Sequence, residues 1–290
     1  MRSSGCSRRI VDWAASLAQP YEGEVRLFHA LSISHERAFA ASKADSERVL
    51  KKLSALAQHL PRRPRISAGV SQGDAVTEIL RHARVAQADL IAIGMHAQDG
   101  SVSPLIARLA NEAPCPVLVV DETTTPARES GGLAHILIAV NFVPASLAAA
   151  DYGLSPAHTA GARVTVVHVL PEHWDGPQRH DANLDETLGL IEHHFRQLLQ
   201  ISIGEVSGLS GRRSTLVTSG RPCVEIVRLA RSHDADLIVM GVDASLASHE
   251  GHGETTDCVM QFARRTVLLV PERLFRERRA GRGIRGKRPH

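Results

Sequence analysis

The chain has 290 residues, 43% of them hydrophobic and only 3% aromatic, which excludes a disordered polypeptide and calls for an aliphatic core. Its formal charge of +3 is misleading, because residues 272–290 hold eight Lys or Arg against two Glu. That stretch alone carries +6, the other 271 residues carry −3, and a basic nucleic-acid-binding body is excluded. The tail itself, with Gly281, Gly283 and Gly286, reads as disordered and solvated, and it is the one place where nucleic acid could be met.

Four cysteines, Cys6, Cys115, Cys223 and Cys258, have no CxxC spacing, so neither a disulfide framework nor a zinc site is expected. Cys115 and Cys223 lie beside apolar segments and read as small buried residues. No apolar run approaches the roughly 18 residues of a membrane helix. Met1 to Arg9 lacks the apolar stretch of a signal peptide. A reducing cytoplasm is the expected compartment.

In chain order, a first helix is expected near Arg8–Ala18, then a strand over Glu24–Leu31 and a long helix carrying Val49, Leu53, Leu56 and Leu60. Gly73 precedes a helix with Glu78-Ile79-Leu80, and strands follow at Ala88–Gly94 and Val117–Val120. Residues 121–134, with Thr123-Thr124-Thr125-Pro126 and Gly131-Gly132, read as a linker. Ile136–Val140 is a short buried strand. Ser146–His158 is an Ala-rich helix that Pro156 is expected to shorten. Ala162–Leu170 is a second strand, and Leu184, Leu188, Ile191, Phe195 and Leu198 step as a core-facing helical stripe. Further strands fall at Ser214–Thr218, Leu237–Met240 and Val267–Val270. Helices fall from Pro222 to His233 and from about Thr255 to Arg264.

The same half occurs twice. Ala88-Asp89-Leu90-Ile91-Ala92-Ile93-Gly94 returns as Ala235-Asp236-Leu237-Ile238-Val239-Met240-Gly241. Gly73 and Glu78 match Gly220 and Glu225, and Val117–Val120 matches Val267–Val270. The matches keep their order, so the repeat is a whole domain: residues 1–122, then 133–271, then the tail 272–290. Apolar strands alternating with helices mean a parallel sheet covered on both faces, in two tandem doubly wound α/β domains. The first half has no counterpart of Ile136–Val140. That strand belongs in the middle of the sheet, and its absence leaves two backbone ladders unpaired. The expectation is a coding start upstream of Met1, the alternative a four-stranded sheet.

Ile136–Val140 with its short loop, the strand ending in His168-Val169, Ala235–Gly241, and Ala113-Pro114-Cys115-Pro116-Val117-Leu118-Val119-Val120 together resemble the universal stress proteins in their tandem, UspA-like form. The resemblance implies five-stranded parallel sheets of the adenine-nucleotide α-hydrolase-like kind. It also implies pairing of domains, and of further copies of the chain, through the last strands, and a regulatory role toward protein partners. Many members bind ATP through Gly-x2-Gly-x9-Gly-Ser/Thr after the fourth strand, whose glycines let backbone N–H groups reach the phosphates, and through an aspartate ending the first strand.

On that resemblance the nucleotide residues here would be Asn141, Val169, Gly241, Ala244, Gly253, Glu254 and Thr255. The pattern is eroded. Asn141 replaces the aspartate, Ala244 the second glycine, and Gly253 comes one residue early. Glu254 stands where Ser or Thr is expected, a carboxylate that competes for helix N–H groups and repels a triphosphate. In the first half Ser103-Pro104 replaces Gly-Ser, Pro104 removes a donor, and no nucleotide is expected. The HxxH of His249 and His252 reads as polar loop, with no metal expected. His29 and His168 read as packed, hydrogen-bonded histidines. Of His193 and His194, one is expected exposed and the other partly buried. Asp89 and Asp236 read as turn or cap residues. No nucleophile–base pair or acid/base dyad is evident, so no catalytic residue is assigned. Weak or absent ATP binding in a regulatory protein is the first expectation, and an ATP switch with slow hydrolysis that controls oligomerisation is the second.

Overall fold

The structure is a computed structural model that describes residues 4–31, 39–58, 64–95, 102–121, 133–171, 184–203, 211–242 and 254–274. The strands are β1 (Glu24–Leu31), β2 (Arg65–Gln72), β3 (Ile91–Met95), β4 (Val117–Asp121), β5 (His135–Ala139), β6 (Arg163–Leu170), β7 (Arg213–Ser219), β8 (Leu237–Val242) and β9 (Thr266–Pro271). The helices are α1 (Ser4–Ala18), α2 (Phe39–Gln58), α3 (Ala75–Val85), α4 (Pro104–Glu112), α5 (Pro144–Ala160), α6 (Leu184–Ile203), α7 (Pro222–Ser232) and α8 (Glu254–Phe262).

The second half forms the expected five-stranded parallel arrangement, in the order β9-β8-β5-β6-β7. Apolar side chains leave both faces of β5, β8 and β9, so each strand feeds two cores. Leu137, Ile238, Met240 and Leu269 point to the face covered by α3, α4, α7 and α8. Ile136, Ile138, Val239 and Leu268 point to the face covered by α1, α5 and α6. This is the alternation a strand imposes. Pro156 does not shorten α5, which runs on to Ala160 and ends at Gly161 in the left-handed region (φ 64°).

The first half departs from a single sheet. Its four strands split into two parallel pairs. β1 and β2 stand as a separate two-stranded sheet, while β3 and β4 join the second half. The junction is antiparallel, Val117 opposite Leu269 and Val119 opposite Val267, so the last strands of the two halves pair within one chain. Each of these strands has a partner on both sides, since β4 lies between β3 and β9, and β9 between β4 and β8. The split has a plain cause. In the second half β5 joins β6 to β8, and no described strand does that for β1 and β3. Helix α1 bridges them instead. Val11 packs with Val25 and Leu27 of β1, and Trp13 packs in the cluster that holds Leu118 and Val120 of β4. The consequence is shallow burial: two of eight β1 residues are buried against five of eight in β6.

Elsewhere the duplication reaches the backbone. Gly73 and Gly220 share φ near +148° and +145°, a region only glycine enters without strain, and Gln87 and Asp234 share φ of 48° and 49°. The hydroxyl–Glu–Arg arrangement after these glycines is duplicated too. Arg81 meets Glu78 at 2.7 Å beside Ser71, and Arg228 meets Glu225 at 2.7 Å beside Thr218.

Candidate functional site

The carboxyl ends of β5, β6 and β8 converge, as a doubly wound sheet requires for a ligand site. Ala139 is level with Val167, and Ile138 with both Val166 and Val239. Two residues beyond Ala139, Val167 and Val239, Asn141, Val169 and Gly241 therefore lie along one edge. Asn141 is exposed. Its N–H donates to Ser146 Oγ at 3.2 Å, and its Oδ1 accepts from the Val143 N–H at 3.4 Å. Val169 is half-buried.

Gly241 has a packing reason to be glycine. A Cβ there would overlap the backbone of Ala145 and Ser146, so the end of β8 touches the first turn of α5. That close approach brings Asn141 and β8 together. The expected phosphate glycine thus also seats a helix against the sheet.

Ala244, Gly253, His249 and His252 lie outside the described residues. Glu254 opens α8, with a side chain 95% exposed and its carboxylate 4.0 Å from Arg221. It leans toward the head of α7, a solvated pair of the kind that contributes little to stability. Thr255 is half-buried beside it. In the first half, Ser103 precedes α4 without a side-chain cap, and Pro104 is the first helical residue.

Sequence reasoning missed two features. One is an aromatic cluster under Asn141. Phe142, held at φ 64°, stands 5.7 Å from the His168 ring and 5.3 Å from Phe195, and His168 stacks on Phe195 at 5.5 Å. Phe195 was legible as a core position, but its neighbours come from other elements.

The other is a disulfide between Cys223 of α7 and Cys258 of α8, with Cα atoms 5.9 Å apart. This corrects the expectation of no disulfide and of a buried Cys223. The two cysteines are 35 residues apart with β8 between them, and only the side-by-side packing of α7 and α8 on one sheet face brings them together. Cys115 does follow its reading: it is buried, and burial pushes its thiol up to about 12. Both disulfide cysteines line an open groove of about 1030 Å³ between α7 and α8, beside rather than at the Asn141 edge.

The paired histidines and aspartates diverge between halves. His168 Nδ1 donates to the Val140 carbonyl at 2.8 Å, a packed and hydrogen-bonded histidine as expected. His29, its counterpart, is exposed, which corrects that reading. The acceptor at Val140 follows β5, and β5 has no counterpart among the described residues of the first half. Asp236 Oδ2 accepts from the N–H groups of Ala134 at 2.8 Å and His135 at 2.9 Å, pinning the entry of β5. Asp89 is exposed. His193 and His194 are both exposed, a further correction, and so is Leu198 of the expected stripe, because α6 turns Phe195 to the core instead.

Among the described residues no cluster of His, Cys, Asp and Glu could hold a metal, and no helix is long and apolar enough to cross a membrane.

Two α/β units with mainly parallel strands, joined through their last strands, define the class. The family description "Universal stress protein family" matches residues 2–121 and again 133–271. The chain therefore belongs to the universal stress protein family, in tandem form, and membership places it among stress-response proteins. Its fold is similar to a putative universal stress protein from Pseudomonas aeruginosa UCBPP-PA14 (20% identity, 92% of each chain covered, TM-score 0.60). It is also similar to one from Archaeoglobus fulgidus DSM 4304 (16% identity, 93% of this chain and 94% of that one, TM-score 0.64). A third likeness is to a functionally unknown protein, PA1789, from Pseudomonas aeruginosa PAO1 (19% identity, 92% of each chain, TM-score 0.60). No curated protein matches the chain.

Proposed function

We propose that this chain is a regulatory, partner-binding stress protein whose second half binds adenine nucleotide weakly or not at all. The observation that carries the reading is Glu254. Its carboxylate stands exposed at the head of α8, where the family pattern places the hydroxyl that meets phosphate. Asn141 and the Phe142–His168 wall keep the chemistry of a nucleoside pocket, with a polar amide beside aromatic faces. The phosphate end has a negative charge facing a negatively charged ligand.

Pairing with further copies, or with other proteins in the cytoplasm, would use surfaces other than the β4 and β9 edges, which already have partners. Calorimetry with ATP, with and without magnesium, tests the reading. No heat at millimolar ATP in the native chain, with binding appearing in Glu254→Ser, is the expected result. Micromolar binding to the native chain would refute it and establish the ATP switch instead.

A further inference from the structure

We propose that Cys223 and Cys258 form a reversible thiol–disulfide exchange site that sets how firmly the head of α8 is held against α7.

Three observations carry this. First, the bond is an addition to a helix pair that packs without it. By the repeat, Val76 of α3 and Arg108 of α4 hold the matching positions, and α3 and α4 lie side by side in the same face of the core. Breaking the bond in the second half therefore leaves a helix pair the fold supports by itself.

Second, the bond is reachable. Both cysteines are half-buried and line the groove with Val224, Val227, Arg228 and Phe262, and Val224 and Phe262 are half-exposed.

Third, the position favours exchange. Cys223 is the second residue of α7, where the positive helix end stabilises a thiolate and makes it a good leaving group. A dithiol reductant attacks Cys258 Sγ, forms a mixed disulfide and expels the Cys223 thiolate. The reductant's second thiol then attacks its own sulfur in the mixed bond and releases Cys258. Two electrons and two protons pass to the protein, and the dithiol becomes a disulfide.

The consequence concerns Glu254 and Thr255, one turn ahead of Cys258. With the bond closed, the first turn of α8 is cross-linked to α7 beside Arg221; with it open, that turn loses the cross-link and keeps Thr256, Val259 and Met260 packed beneath it. Its bearing on ligands rests on the nucleotide reading above; the exchange itself does not.

The test compares the whole chain oxidised with glutathione disulfide and reduced with dithiothreitol, by thiol counting and by hydrogen exchange over residues 254–262. The oxidised form should show two thiols fewer. The reduced form should exchange its first α8 turn at least fivefold faster, with residues 104–112 of α4 unchanged. Cys258→Ser should behave as the reduced form in either buffer. Equal thiol counts, or equal α8 exchange in the two forms, overturn the proposal. ATP titration of Glu254→Ser in both states separates the two readings: tighter binding by the oxidised form, threefold or more, joins the switch to the ligand site. No binding by that variant in either state, with α8 exchange still altered, sinks the nucleotide reading and leaves the switch.

Discussion

Asp236 and Asp89 occupy the same place in the repeat, and the fold gives them different work. Asp236 Oδ2 accepts two backbone N–H groups, from Ala134 and His135, at the entry of the central strand β5. Asp236→Ala leaves both donors without that acceptor next to a buried His135. Each charge-assisted bond is worth about 1.5–3 kcal/mol, and the two share one oxygen, so the pair is worth roughly 3 kcal/mol. At about 2–4 °C per kcal/mol for a unit of this size, Tm should fall by roughly 6–12 °C. Asp89 is exposed and has no hydrogen bond among the described residues, so Asp89→Ala should stay within about 0.5 kcal/mol of the native chain. Urea and thermal unfolding of both variants, followed by circular dichroism, make the comparison. Equal losses in the two would refute the claim that β5, rather than the local Ala-Asp-Leu-Ile sequence, makes this aspartate matter.

Gly241→Ala should lower stability by about 2–3 kcal/mol in urea unfolding with no ligand present, because its Cβ meets backbone that no rotamer change can move. A native-like midpoint would show that α5 and β8 are not in close contact. Acidification should also weaken the fold. Burial holds the His135 imidazole below the ordinary histidine value of 6.5, so the unfolded chain binds its proton first. The stability that neutral His135 gives is complete above pH 6.5 and is lost as pH falls below it. His135→Gln should flatten the slope of the unfolding midpoint between pH 7 and 5, and an unchanged slope would assign the loss to other groups. Cys223→Ser removes a cross-link over 35 residues, which the chain-entropy model values at about 4 kcal/mol. Calorimetric melting under non-reducing conditions should show the loss, and dithiothreitol should erase the difference from the native chain.

Much of the fold was legible because strand and helix periods are local. The runs at Ile136–Val140, Ala162–Leu170 and Leu237–Met240 became β5, β6 and β8 within about two residues at each end. The duplication was legible for the same reason, since matching strings need no third dimension. Of the candidate site, Asn141, Val169 and Gly241 come together as the doubly wound order demands. The packing role of Gly241 could not be read, because Ala145 is about a hundred residues away in the chain.

Sequence alone thus determined the class, the repeat and the departure from the family pattern at Glu254. Tertiary structure decided how the first half's described strands pair: β1 with β2 in a sheet of shallow burial, and β3 with β4, which joins the second half through β9. It also decided which copy of a repeated residue is engaged. His168 and Asp236 find β5 or its flanks, while His29 and Asp89 face solvent. Cys223 and Cys258 meet only because two helices share a sheet face. Each of these depends on a partner distant in sequence, and composition, period and spacing carry no information about such partners.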